Sequence, residues 1–573
     1  MRPYTEPIGY ERMRSTIAGL VALTLAVSAG AEPQDELYVE TIEVNVVTVD
    51  VFATDSKGAP VPGLTRNDFE LLESGRPQEI TNFSEVREEV AASPLPTQET
   101  QPLAVIPEER SRKLIFYLDA ETLHPFNRNR VFEQIRGFTG TMLRPGDQAM
   151  LAVWRGGIHV EVPFTSLVSE FERSLIRLST EGTGRSMTVL RHRETEQRIR
   201  AELDLALQPR SGISIGDAYR NAISISRLYA EQVRTETRAK IVGMNGLLAT
   251  LAGVEGKKAM IFVGEEFPIR PGIEMFQFVN EIFEPRIQQS REMVSMSTPE
   301  AHAPMETALI DVVSRAANAN GVTIYMLSAS SGTDLSDTPV ESNELQSTDT
   351  QFLETMNRMT AFQLVAAKTG GLSFAQTPNV ERVFDRIERD FDTYYSLGYH
   401  MSGPASPGER RLSVRSKRPG VSIRTRTTYY AKTTRDQMID RVVAMLYYDG
   451  GPGDMEIRVV TKTPKKQGRG KYTVPVNVEI PSSSITLLPN GDKLSGKFSV
   501  FVGVSDGKGG ISKINQQTQS VSVPVGDAAK LEGKHFTYSV DLLMGRGENI
   551  IAIAVLDNVT NMKAFSRKRI DLK

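Results

Sequence analysis

Three continuous runs do most to limit what this chain can fold into. Leu114-Ile115-Phe116-Tyr117-Leu118, Ala259-Met260-Ile261-Phe262-Val263 and Val322-Thr323-Ile324-Tyr325-Met326-Leu327 are short and almost wholly apolar. Each reads as a strand covered on both faces, as in a parallel sheet. Helical spacing separates them: Val131, Phe132, Ile135 and Phe138 recur on one face until Pro145-Gly146-Asp147 stops the pattern, and Phe171, Leu175, Ile176 and Leu178 repeat it. Further helical stretches at 306–319 and 353–368 flank the third run. Strands alternating with helices of this length predict an α/β domain, a doubly wound and mostly parallel sheet.

The rest of the chain reads as β structure and connections. An N-terminal β segment is expected over 38–90, where Val44, Val46, Thr48, Asp50 and Phe52 form one face of a Val-rich strand. A polar, Pro- and Glu-bearing linker follows at 91–110, and the α/β domain is expected over 111–400. Within it, 186–252 is charged, helical in pattern and too long for an ordinary connection, so an inserted helical pair is expected. Residues 328–351, rich in Ser, Thr and Asp, read as a loop just past a strand end. A β extension at 401–432 and a connector at 433–469 lead to a C-terminal β-sandwich at 470–573, marked by Phe498–Val504 and Ile550–Val555.

Arg12 and Arg14 precede the apolar stretch Ile17–Val27, which ends in Ser28-Ala29-Gly30-Ala31. That is the pattern of a secretory signal peptide over 1–31, so an exported protein, periplasmic or secreted, is expected. No later segment is apolar and long enough to span a bilayer. Cysteine is absent, which excludes disulfides, thiolate metal sites and a Cys nucleophile. With 67 Lys and Arg against 70 Asp and Glu, the net charge of −3 gives no basic excess for nucleic acid.

Several segments, in order over roughly 40–430, resemble the von Willebrand factor type A-related family of acidobacterial type. They are Val49-Asp50-Val51, Pro60 to Phe69, Glu73 to Gln78, Leu118-Asp119, Leu143 to Asp147, Phe164-Thr165, Gly256 to Phe262, Ala317 to Tyr325, Thr369-Gly370-Gly371 and Tyr394 to Tyr399. The resemblance implies a type A domain fused to β modules, and it implies a place to look for a divalent cation. Such domains hold the ion through Asp-x-Ser-x-Ser, a later Thr and a later Asp, at the carboxyl ends of parallel strands. Here the motif stands as Asp119-Ala120-Glu121-Thr122-Leu123, the Thr position fits Thr183, and the later acid is Glu265 in Gly264-Glu265-Glu266. Leu123 has no donor oxygen.

Two readings of these residues stand. Asp119, Glu121, Thr183 and Glu265 converge as a degenerate metal-ion-dependent adhesion site for Mg²⁺ or Ca²⁺. Alternatively, Asp119 caps the next helix, the glutamates are solvated, and no cofactor is held. The second is preferred, because losing two hydroxyl ligands removes a third of an octahedral shell.

Motifs for catalysis lack their context. Gly212-Ile213-Ser214-Ile215-Gly216 matches a nucleophile elbow, yet a charged helical stretch and Pro209-Arg210 precede it where a strand is required. Ser214 is expected to cap a helix beginning near Asp217. Trp154, the single Trp, is expected in the core. The reading that results is an exported, non-enzymatic protein-binding or adhesion-type module, its partner meeting the strand-end face with Asp119, Glu121, Glu265 and the 328–351 loop. A secreted serine hydrolase or a structural envelope protein are the alternatives.

Overall fold

The computed structural model describes residues 46–87, 111–290, 292–330, 348–374, 380–401, 408–448, 453–468, 470–506 and 510–573. The expected signal peptide, the 91–110 linker and most of the 328–351 loop lie outside the described residues. The described part of that loop differs from expectation at its end, because 348–351 already belong to a helix.

The chain begins with β1 (Val46–Thr54), β2 (Phe69–Glu73), β3 (Arg76–Gln78) and β4 (Ile80–Arg87). The α/β segment follows as β5 (Arg112–Asp119), α1 (Pro125–Met142), β6 (Gln148–Trp154), β7 (Ile158–Thr165), α2 (Val168–Thr180), α3 (Arg185–Leu207) and α4 (Ile215–Thr250). It continues as β8 (Lys257–Gly264), α5 (Ile273–Gln289), α6 (Pro299–His302), α7 (Thr307–Ala319), β9 (Val322–Ser328), α8 (Thr348–Thr369), β10 (Ser373–Phe374) and α9 (Val380–Asp392). Then come β11 (Thr393–His400), β12 (Gly408–Ser416), β13 (Ser422–Arg424), β14 (Thr428–Ala431) and α10 (Thr434–Tyr447). The last strands are β15 (Arg458–Thr461), β16 (Lys465–Gly468), β17 (Lys471–Pro481), β18 (Leu488–Asn490), β19 (Lys493–Asp506), β20 (Asn515–Pro524), β21 (His535–Gly545), β22 (Gly547–Asp557) and β23 (Lys563–Leu572).

The central sheet has the order β7-β6-β5-β8-β9-β10. All its neighbours are parallel except β7, which runs antiparallel to β6. The first two apolar runs are adjacent, Leu114 opposite Ala259 and Leu118 opposite Val263. Counted within the sheet, the order is 3-2-1-4-5-6, a doubly wound arrangement whose connections reverse between β5 and β8. Alternate residues of each strand face opposite layers. Phe116 and Leu118 pack with Ile135 and Phe138 of α1, Phe171 of α2 and Ile387 of α9. Ile115 and Tyr117 pack with Met244 of α4, Val313 of α7 and Phe362 of α8. Continuous apolarity in the sequence is the consequence of this double covering.

The expected boundaries shift at the base of this sheet. The N-terminal β segment and the 401–432 extension are one sandwich, made of sheets β13-β1-β11-β4 and β14-β12-β2-β3. One of its inner strands, β11, lies within the range expected for the α/β domain, and it pairs with both β1 and β4. The reason is packing: Tyr395, Leu397 and Tyr399 alternate into a core with Val47, Val49, Val51, Phe69 and Leu71. The chain thus leaves a β-sandwich, builds the α/β domain, and returns to complete the sandwich.

The C-terminal sandwich also starts earlier than 470, since β15 and β16 pair with β17. The expected connector also contains α10, an amphipathic wedge. Ala444, with neighbouring Tyr448, enters the central core, while Met438, Val442 and Met445 pack on Phe501, Ala552 and Ala554 of the sandwich.

Candidate functional site

In a doubly wound sheet, ligands gather outside the carboxyl ends of the strands where the order reverses, here between β5 and β8. Asp119 ends β5 and Glu265 follows β8, so both expected acids stand at that switch point. Neither is solvated: Asp119 is fully buried and Glu265 is 4% exposed.

Asp119 is engaged from within the chain. Its Oδ2 is in contact with the ammonium of Lys240, which reaches it from α4. The same oxygen accepts from the Thr122 hydroxyl at 3.0 Å, and Oδ1 accepts from the Glu121 N–H at 3.3 Å. Burial raises the pKa of this carboxyl, and Lys240 and Thr122 pull it back. Asp119 does not cap α1, contrary to the preferred sequence reading. His124 holds that place, its Nδ1 accepting from Phe126 N–H at 3.3 Å, because Pro125 sets the first helical residue.

Glu265 serves the start of α1 instead. Its Oε1 accepts from the His124 N–H at 2.9 Å and from the Asn127 amide at 3.1 Å. Burial raises its pKa, while Arg185 and these donors oppose the rise. Thr122 ties the two acids together, since its hydroxyl accepts from the Glu265 N–H at 3.2 Å and donates to Asp119.

Glu121 points the other way. It accepts from the Trp154 indole N–H at 2.7 Å and from the Gly156 N–H at 2.6 Å. Trp154 is therefore both core and crest. Thr183 sits half-buried between Gly182 and Gly184, where Gly184 N–H donates to Ala120 O at 3.0 Å. This loop touches the crest, but among the described residues no hydrogen bond brings the Thr183 hydroxyl to the acids.

Glu266, Arg185 and Lys240 complete the crest, and the sequence reading did not assign them. Glu266 pairs with Arg185 of α3. Burial opposes ionisation of Glu266, but Arg185, Arg358 and Lys240 outweigh it and hold the carboxyl down to about 2. The signal for Lys240 was present in the sequence. It falls on the buried stripe of α4 with Thr237, Ile241, Met244, Leu247 and Leu248, and a lysine on such a stripe needs a partner.

This donor set does not fit a divalent cation. A hard cation wants six or more free oxygens. Here Asp119 faces an ammonium, Glu121 and Glu265 face N–H groups, and Leu123 belongs to the core. Among the described residues no group of three His, Asp or Glu side chains is placed to hold a metal ion.

Above the crest stands a helical head. The inserted pair α3 and α4 is joined by α5, and the three share a core of Ile199, Leu203, Tyr219, Ile223, Phe276, Val279 and Phe283. Thirty-six residues make α4 about 54 Å long, against ~26 Å for an eight-residue strand. Its C-terminal half covers the sheet and its N-terminal half rises past Asp119. Ser214 caps its start, accepting from Asp217 N–H at 3.0 Å and donating to Asp217 Oδ2 at 2.9 Å.

The N-terminal β module docks at the opposite end, and the C-terminal one reaches that end through α10. The Lys257 ammonium, at the start of β8, lies 3.1 Å from the Tyr394 ring centre and 4.8 Å from that of Phe52. Arg424 Nη2 donates to Asp390 at 2.6 Å, and the Asn318 amide donates to Thr428 at 2.8 Å. On the other side, Arg441 donates to Gly253 O at 2.9 Å and Tyr448 meets Thr250 at 2.7 Å.

No protein-family model matches the chain. No curated protein matches it either. Solved structures with some likeness include an aerotolerance-related membrane protein from Bacteroides fragilis, at 10% identity, 49% of this chain, 98% of that chain and a TM-score of 0.23. The pilus adhesin SpaC from Lactobacillus rhamnosus GG shows 7% identity over 88% of this chain and 56% of its own, at a TM-score of 0.22. Three N-terminal domains of the pili tip protein Mfa5 from Porphyromonas gingivalis show 9% identity, over 76% and 75%, at 0.23. Likeness at such scores carries no argument, and the fold rests on its own strand order. No helix among the described residues is long and apolar enough to cross a membrane.

Proposed function

We propose that this chain is an exported, non-enzymatic binding module of adhesion type, with a central domain of the type A-related kind. It meets a protein partner through the helical head and the rim around the strand ends, without a metal ion. The observation that carries this reading is that the N-terminal β module and α10, on which the C-terminal sandwich packs, both meet the base of the central sheet. Supports at one end leave the other end to face a partner.

The strand order 3-2-1-4-5-6 supports the type A kind. Engagement of the crest acids with groups of the same chain supports recognition by surface. Met187 of α3 and Leu228 of α4 are about two-thirds exposed on the head and offer apolar contact. Ser214, as a helix cap, gives no support to a hydrolase.

A photo-crosslinking residue placed at Met187 or at Leu228, and at Leu543 of the C-terminal sandwich as a control, tests the reading in the native envelope. Adducts of one partner at the two head positions, unchanged by chelator and absent at Leu543, are expected. Adducts confined to Leu543, or fluorophosphonate labelling of Ser214, would refute it.

A further inference from the structure

We infer that Lys240 is a tethered cation: its ammonium fills the charge role of a divalent ion at the switch point between β5 and β8, so this crest takes no metal. The inference shares with the binding reading only the absence of a metal ion; crosslinking at the head tests the partner, and the variants below test how the crest is neutralised.

The argument starts from Asp119. A carboxylate with no exposure costs several kcal/mol to desolvate unless a cation and hydrogen bonds compensate it. In a metal-binding crest the ion supplies that compensation. Here Lys240 supplies it, itself only 6% exposed, with the Thr122 hydroxyl and the Glu121 N–H as further donors. A divalent ion at Asp119 would have to displace an ammonium already inside its first contact distance. It would gain nothing from Leu123, and Glu121 and Glu265 are held elsewhere by N–H donors.

The position of Lys240 is built in. Three residues later, Gly243 lies against Trp154, where a Cβ would stand 2.5 Å from the indole Cζ3. Only glycine lets α4 approach that closely, and the approach brings the preceding turn, with Lys240, over Asp119. Further along, Met244, Leu247 and Leu248 hold α4 in the same core as Trp154. The inserted helix is therefore the element that closes the crest, and its cation cannot diffuse away or be chelated.

The test uses the full chain and three variants, Asp119→Asn, Lys240→Met and the double variant, with thermal unfolding in chelator and in millimolar Mn²⁺. Each single variant is expected to lose about 5 °C or more, since each leaves a buried charge without its contact partner. The double variant is expected to be more stable than the sum of the two losses, because neither charge remains. If Lys240→Met fails to fold, recovery of a folded protein by the double variant gives the same support. The unsubstituted chain is expected to unfold at one midpoint in both solutions. Losses that simply add in the double variant would overturn the inference. So would a midpoint raised by Mn²⁺ in the unsubstituted chain and not in Asp119→Asn.

Discussion

Gly243 and Trp154 touch across the crest so closely that α4 has no room for a side chain there, the nearest indole carbon being 2.5 Å from where a Cβ would stand. Gly246, one turn further along the same helix, has open space at its own Cβ position. The pair gives an internal control. Gly243→Ala is expected to destabilise by about 1–3 kcal/mol through overpacking, whereas Gly246→Ala should stabilise by up to ~1 kcal/mol through helix propensity. Urea unfolding of the two variants decides this, and equal signs would show that α4 does not press on Trp154.

Glu266 is held down to about 2 from an ordinary 4.5. An acid depressed in the folded state contributes stability that is present above the unfolded value and lost as pH falls through the folded one. Glu266→Gln should therefore cost stability at pH 7, with most of that cost gone near pH 2. Denaturant unfolding of parent and variant across pH 2–7 measures it, and a cost that stays constant with pH would contradict the pairing with Arg185.

Lys257 and Lys258 give a slope of the same sign in a higher pH window. Burial lowers each from 10.5 to about 8. Between those values the unfolded chain holds more protons than the folded one, so their contribution to stability rises as pH climbs from about 8 toward 10.5. Replacing both lysines by Met should remove this rise. Unfolding at pH 7.5 and 9.5 gives the difference, and an unchanged rise in the double variant would show that other groups cause it.

The central sheet was legible because burial on both faces writes itself as unbroken apolar runs, as in Leu114–Leu118 and Ala259–Val263. The cap at Ser214 was legible from local chemistry. The sandwich boundary was not, since the pairing of β1 with β11 joins residues some 350 positions apart and no local pattern records it. Asp119 and Glu265 were found by position, but what they bind was missed. Their partners come from a distant helix, in Lys240, and from the start of α1, in the His124 backbone N–H and the Asn127 side-chain amide. Lys240 carried a signal in its place on an apolar stripe, one that only a search for buried lysines would have read.

Ser214→Ala removes the hydroxyl that accepts from Asp217 N–H. Loss of a cap costs about 1 kcal/mol. The variant should lose that stability while crosslinking at Met187 and Leu228 stays as in the parent. A variant of unaltered stability whose crosslinking is abolished would instead assign Ser214 a part in binding.

Closure of the crest by Lys240 is tested most directly by how fast its amine is acylated in the folded protein, read residue by residue by mass spectrometry. Lys530, whose side chain is 79% exposed, serves as the reference. In the folded parent Lys240 is predicted to stay unmodified while Lys530 reacts, and to become reactive once the chain is unfolded. Acylation of Lys240 at the rate of Lys530 in the folded parent would contradict the account.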